Sequence, residues 1–423
     1  VVNRLEELAN EGKLMIKTDE WFRSSYGNTL YLCLTSWGNI YGVRNLGAKD
    51  FFYFSEGKID EWQKVHNQFR SMVMDYLVPA ITRSQWVKTF VFARDDCEEL
   101  RKGGKDVYLF ICHKPRDKLP SEVAEYIRWG ESDECKTRIR GTRGGGRKCS
   151  EAVACRAREE GKAHRWFYGW YDLGGYVPTL LMAIYQAGYH PQFFLVKMPL
   201  ATYHAIITFI PKVRVKVGNW VFDPGEYRNI IGEVNNNVEL DELEVKALLA
   251  YLNSTFNWLW LEQNGRRTGG GILALEVNIA ERMPILNVKA IDRGRVDELA
   301  ELFDELETEA RKLMGIKSVT NDLPDEDEGK EEEEVGGSKL EMFRQLRPIF
   351  KRIDEVVAEI LSIDVDVDEL WNRAWEMMER RVKGAEKEAR PGAKPITEEK
   401  PSEGKGRGRR RKGGGSVPIT SFF

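Results

Sequence analysis

Residues 248–264, LLAYLNSTFNWLWLEQN, constrain this chain most. Leu248, Leu249, Leu252, Phe256, Leu259 and Trp260 recur at three- and four-residue steps, the period of an apolar helix. The rest of the fold has to be organised around it, because so much apolar surface needs a core to cover it. Asn264-Gly265 is expected to end the helix, glycine accommodating the left-handed conformation common at a helix C-terminus. Arg266, Arg267 and Thr268 follow, then Gly269-Gly270-Gly271, then a strand-like run over 272–277. Two guanidinium forks beside Asn264 thus sit on a loop whose backbone can approach another molecule closely. Composition alone favours a plainer reading, a helix–turn–strand connection with solvated arginines.

The 423 residues suffice for two or three domains, and 42% hydrophobic content with 12 Trp and 19 Phe indicates globular structure over most of the length. A net charge of −3 hides segregation: acidic residues crowd 321–337, and Lys405, Arg407, Arg409, Arg410, Arg411 and Lys412 form a basic knot. Local patches therefore say more about partners than net charge does. No apolar run approaches a membrane span and no signal-peptide pattern opens the chain, so a cytoplasmic, nucleoid-associated location is expected. The six cysteines include no CxxC pair. A zinc site from Cys135, Cys149, Cys155 and His164 is conceivable, but the spacing fits no common finger and free thiols are expected.

Taken in order, residues 1–35 read as a helix and a short strand around Leu30 and Leu34, and 36–290 as one α+β, strand-rich unit. Phe51, Phe52, Tyr53 and Phe54 should form a buried strand behind a loop carrying Arg44 and Lys49. Residues 106–112 read as a buried strand, and 120–129 as a helix with Tyr126 and Ile127 on one face. The stretch 138–148, RIRGTRGGGRK, lacks the Gly-Lys-Ser/Thr order of a nucleotide-binding loop. Its Arg143, Arg147 and Lys148, near Trp129, Trp166, Phe167 and Tyr168, suit contact with a phosphate backbone; a surface insertion is the plainer alternative. Val213, Val215 and Val217 alternate with Lys212, Arg214 and Lys216, which gives a strand one apolar and one cationic face. Residues 291–320 hold an amphipathic packing helix, 321–339 an acidic linker and 340–388 a helical hairpin. In the hairpin Pro348 starts or kinks a helix, and Asp368 is read as the N-cap of the helix holding Trp371 and Trp375. A basic linker, 389–415, leads to a terminal peptide, 416–423.

Several of these residues carry a family resemblance. Asn253-Ser254, Gly265-Arg266, Gly269-Gly270-Gly271 and Pro284 together resemble the LNS, GR..GGG and LP signature of the C-terminal target-recognition region of adenine-specific (N6) DNA methyltransferases of restriction–modification systems. The segment 37–53, WGNIYGVRNLGAKDFFY, is similar to the FFY segment that opens that recognition domain. The segment 77–92 is similar to its Leu-Pro…Trp segment. The resemblance covers 1–290 and implies double-stranded DNA as partner. It points to Arg44, Lys49, Arg143, Arg147, Lys148, Lys212, Arg214, Lys216, Asn264, Arg266 and Arg267 as DNA contacts. It also implies S-adenosylmethionine as cofactor of a catalytic part. That part is not recognisable here. None of the 15 prolines is followed by another, which excludes the Pro-Pro-aromatic motif that holds the flipped base. No FxGxG turn stands out either, Asp172-Leu173-Gly174-Gly175 lacking a strand–turn–helix context. The expected function is thus sequence-specific DNA recognition, with no cofactor in this chain, no activity of its own, and methyl transfer on a preceding segment or a separate subunit. The alternative is a freestanding specificity subunit or a clamp-tethered DNA-binding or repair protein. Finally, Ile419, Phe422 and Phe423, spaced i, i+3, i+4, resemble the sliding-clamp (PCNA) peptide of archaeal and eukaryotic DNA-processing proteins, with Ser416 where glutamine is usual.

Overall fold

Strands that are apolar on both faces set the centre of the molecule. In a computed structural model, which describes residues 1–35, 46–137, 146–161, 167–316 and 339–388, a five-stranded sheet has the order Phe22–Tyr26, Ile206–Pro211, Leu181–Ile184, Phe193–Val196, Val91–Phe92. Its last pair is parallel and the others antiparallel. Side chains point alternately to either side of a strand. Phe193 and Leu195 accordingly enter one core while Phe194 and Val196 enter another. Leu181 and Ala183 part from Met182 in the same way. The sheet is a wall between two hydrophobic cores, and the fold is α+β.

Helices dominate the first core: Val2–Glu11, Glu242–Asn253, Thr255–Asn264, Arg293–Leu313, Arg347–Leu361 and Val367–Glu388. The Arg293–Leu313 helix buries Val296, Leu299, Phe303, Leu306 and Ala310 and packs along Glu242–Asn253. The second core lies under a four-stranded sheet of order Ala201–Thr202, Leu77–Ile81, Tyr108–Phe110, Tyr53–Phe54. The Ser121–Gly130 helix delivers Tyr126 and Ile127 to it, and Phe51 stacks on Tyr126 and tilts against Trp170.

The structure corrects several expectations. The apolar stretch 248–264 is two helices, broken at Ser254. Asn253 causes the break: its amide bonds both the N–H and the C=O of Phe193 (3.0 and 2.9 Å), so a side chain replaces a neighbouring strand. Ser254 then caps the second helix, and Asp354 accepts from Thr255 N (2.8 Å) and Thr255 Oγ1 (2.5 Å). The Asn-Ser pair is thus a joint between sheet and helices. Gly265 does end the second helix but not in the left-handed region; its φ is −66°. Glycine is needed there for space, since a Cβ would lie 2.7 Å from both Leu261 O and Leu273 Cδ1.

Elsewhere, Lys49–Phe52 is a single helical turn and only Tyr53–Phe54 is strand. Lys58 Nζ holds the turn by donating to the carbonyls of Asp50, Phe51 and Tyr53. Leu30–Thr35 is helical rather than extended. The run 272–277 splits into strand Ile272–Ala274 and the start of helix Val277–Arg282. Pro348 sits in the first turn of its helix, as a starter. Asp366 rather than Asp368 serves as the cap: it accepts from the N–H groups of Asp368 (2.8 Å) and Glu369 (3.2 Å), while Asp368 pairs with Lys351 and Arg347.

The cysteines are not all free. Cys135 and Cys149 form a disulfide across the hairpin Lys136–Thr137/Arg147–Lys148, whose register sets their Cα atoms 5.5 Å apart. Cys33, Cys97, Cys112 and Cys155 are buried thiols. A zinc site using both Cys135 and Cys149 is therefore ruled out, and no other metal-ligating group of three occurs among the described residues. No described helix is long and apolar enough to cross a membrane. Arg44, Arg143, His164, the acidic linker, and the terminal Ile419, Phe422 and Phe423 lie outside the described residues.

Candidate nucleic-acid interface

Arg266 and Arg267 lie on a strand, not a loop. Arg266–Thr268 pairs antiparallel with Ile272–Ala274, Thr268 opposite Ile272, so the glycines form the hairpin tip. Gly270 and Gly271 there have φ of +80° and +72°, conformations that glycine adopts without strain. Arg267 is exposed, and its side chain donates to Glu262 O at 3.5 Å. Arg266 is held differently. Its Nε lies 2.5 Å from a Glu276 carboxylate oxygen, and its Nη2 donates to Tyr185 Oη at 3.4 Å. Glu276 also accepts from the hydroxyls of Tyr26 (2.5 Å) and Tyr185 (3.1 Å). The carboxylate is 12% exposed and the guanidinium side chain 56%, so a sheltered anchor steers a solvent-facing cation.

This pair lines a cleft of about 890 Å³. Lys212, Arg23, Ser24 and Tyr26 line it as well. Lys212 Nζ donates to the Asp19 carbonyl, which fixes the amine at the cleft wall. Arg23 is buried and donates to Cys33 O (2.9 Å); burial brings its guanidinium down to about 10. Ser24 Oγ is buried without a hydrogen-bond partner among the described residues. The carboxyl of Glu281, also in the wall, is pushed up by burial and by Asp19.

The remaining candidates fall elsewhere. Arg214 and Lys216 project from the Val213–Val217 strand opposite buried Val213, Val215 and Val217, the alternation expected. The face is not purely cationic, because neighbouring strands bring Asp223 (3.2 Å) and Glu239 (4.0 Å) to Arg214. Lys49 lies across the central sheet, on the turn Lys49–Phe52 that packs beside the strand Lys136–Thr137 of the disulfide-closed hairpin carrying Arg147 and Lys148. Lys148 stands 3.9 Å from Asp133. Asn264 turns inward to Trp260 O (3.1 Å). The fold thus joins Lys212 to Arg266 and Lys49 to the hairpin, but keeps the two sets apart.

Sequence reasoning missed Arg23, Tyr26, Tyr185 and Glu276. Only Glu276 carried a signal, a carboxylate at the end of the apolar run ILALEV, since a carboxylate there needs a partner.

Known proteins bear on this geometry. Residues 44–142 match the C-terminal domain family of the type II methyltransferase M.Eco57I. This relates the chain to the C-terminal region of restriction–modification methyltransferases. Among individual proteins, it is 24% identical over 260 residues to the type II methyltransferase M.AccI of Acinetobacter calcoaceticus, which covers 61% of this chain and 37% of that one. The type IIG restriction endonuclease BpuSI aligns with 90% of this chain and 33% of its own, at 14% identity and a TM-score of 0.41. The chain thus spans little more than a third of the curated relative and a third of the solved structure.

Proposed function

We propose that this chain is the DNA target-recognition part of a site-specific adenine-N6 methyltransferase of the restriction–modification type. The observation that carries this reading is Arg266, anchored by Glu276 and Tyr185 in a cleft shared with Lys212 and Arg23, on a chain related to the C-terminal region of restriction–modification methyltransferases. A guanidinium held along one edge keeps its other edge fixed, which suits bidentate pairing with guanine O6 and N7. Arg44, Lys49, Arg143, Arg147, Lys148 and Lys216 supply phosphate contacts in this reading.

Methyl transfer from S-adenosylmethionine belongs to the catalytic part of the enzyme. The Gly174-Gly175 turn does not fit that cofactor: the Asp172 carboxylate is taken by His113, Tyr168 N and Gly174 N, and a Cβ on Gly174 would meet Phe167 and Leu30. The terminal Ile419, Phe422 and Phe423 serve as a sliding-clamp tether. Pull-down by purified PCNA, lost on Phe422→Ala/Phe423→Ala, tests the tether alone.

Selection of bound duplexes from a random library, across a salt series, tests recognition. A short enriched motif containing adenine is expected. Steeply salt-dependent binding with no enriched motif would overturn the reading.

A further inference from the structure

Two strands of the second sheet run parallel, Ala201 opposite Ala80 and Thr202 opposite Ile81. Parallel strands leave a sheet at the same end, so Arg83 and His204 emerge side by side. Tyr203 fastens the two exits: its hydroxyl accepts from Ser84 N at 3.0 Å. Its ring packs edge-on against Tyr53 (6.5 Å between centroids) and against His204 (5.2 Å). Tyr53 directly continues the Lys49–Phe52 turn, which brings Lys49 to the same rim.

Lys49 and Arg83 repel each other, and Lys49 disfavours a charge on His204. Lys49 is solvent-accessible, yet partial burial of its amine and then Arg83 hold it below the usual lysine range. Burial and then Lys49 push the His204 imidazole down to about 4. Elsewhere the fold neutralises such cations: Arg70 pairs with Glu56 and Asp60, Arg101 with Glu98, Arg116 with Glu131. Lys49 and Arg83 have no ion pair among the described residues, although the charge of Asp50 acts on Lys49 and that of Asp106 on Tyr53. A tetrahedral oxyanion would offset the repulsion, and two cations flanking a neutral imidazole can each donate to a different oxygen.

We propose that Lys49, Arg83 and His204 form a phosphate-binding site that grips a phosphodiester of the DNA backbone. Arg83 and His204 are new to the interface, and the site deepens the recognition reading, on which the choice of a DNA phosphate rests. It lies on the second core, away from the Arg266 cleft, and so positions the duplex without reading bases.

The test measures duplex binding by fluorescence anisotropy between about 50 and 200 mM salt, on the full 423-residue chain. Lys49→Ala, Arg83→Ala and His204→Gln are compared with the parent, and thermal melts check folding. A parallel arm titrates inorganic phosphate and follows the His204 ring signals by NMR. Lys49→Ala and Arg83→Ala should each weaken matched and random duplexes alike and reduce the slope of log K against log salt by about one. Phosphate should move the His204 signals in the parent and not in Arg83→Ala. Parent-like slopes in folded Lys49→Ala and Arg83→Ala would overturn the DNA-backbone site while leaving recognition through Arg266 intact. A parent that binds no duplex but whose His204 responds to phosphate would sink the recognition reading and the DNA source, leaving a free-phosphate site. No response in either arm overturns the site altogether.

Discussion

Two of the buried arginines, Arg381 in the first core and Arg158 in the second, are handled in opposite ways. Arg381, on the Val367–Glu388 helix, has a side chain 1% exposed and meets Glu262, itself 0% exposed, at 2.8 Å. It also donates to the carbonyls of Gly188 (3.1 Å), Tyr189 (3.1 Å) and Gly271. Arg158, also 1% exposed, has no carboxylate among its hydrogen-bond partners in the described residues. It donates to the carbonyls of Trp170 and Leu46 at 2.8 Å, touches Cys155 Sγ at 3.4 Å, and lies 4.4 Å from the Tyr31 ring centre; its Nη1 has no hydrogen-bond partner among the described residues. In the helical core a paired charge fastens the last helix to the tip of the Arg266 hairpin. In the second core an uncompensated charge ties Leu46 to Trp170, beside the turn that carries Lys49. The two arginines stabilise the two halves of the proposed interface by different physics. Breaking a buried pair strands its partner, whereas removing a lone guanidinium strands only carbonyls.

Arg381→Met is the severest test of that contrast. Glu262 would be left buried and unpaired, and urea unfolding should show a loss of about 3–5 kcal/mol. Adding Glu262→Leu should restore much of it, and a double variant as unstable as the single one would contradict the pairing account. Arg158→Met should be milder, about 1–3 kcal/mol for the orphaned carbonyls, with no partner substitution able to rescue it.

Arg266→Ala carries the comparison to function. It should remove about 1–3 kcal/mol of base discrimination at one position of the enriched motif while leaving the melting temperature near that of the parent. Glu276→Gln should blur the same position with the salt slope unchanged. A uniform loss at every position would demote Arg266 to a phosphate contact.

The smallest effect concerns a buried carboxyl that, unlike Glu262, has no ion pair among the described residues. Asp354 accepts hydrogen bonds from Thr255, and burial raises its carboxyl to about 7 although Thr255 and the charge of Arg347 act to lower it. The folded chain then keeps a proton that the unfolded chain releases near its ordinary value of about 4. The stability from this proton is complete below about pH 4 and is lost as pH rises through about 7. Glu307, also raised to about 7 by burial, acts in the same sense. His190, lowered to about 4 by burial, acts oppositely between about pH 4 and 6.5. Comparison with Asp354→Asn isolates the one group: the parent should gain on the variant as pH falls from about 8 to 5.5. Parallel pH profiles would show that Asp354 titrates normally.

The sequence alone determined whatever depends on local period and local chemistry. The steps of three and four from Val296 to Ala310 and the alternation from Lys212 to Val217 are properties of short stretches, and both stand in the structure; for Pro348 the sequence left a start or a kink open, and the structure makes it a starter. The glycine triplet marked a turn for the same reason. Partners distant along the chain were illegible. Asn253 breaks its helix because Phe193 lies beside it, 60 residues away in sequence. Glu276 steers Arg266 only once the hairpin and the following helix fold back on Tyr26 and Tyr185. Cys135 finds Cys149 through hairpin register, and Arg83 and His204 leave their sheet at the same end through the parallel pairing of strands about 120 positions apart. Periodicity reports which face of a segment is buried. It carries no information about what buries it, and here the choice of neighbour decides which cations are paired with a carboxylate.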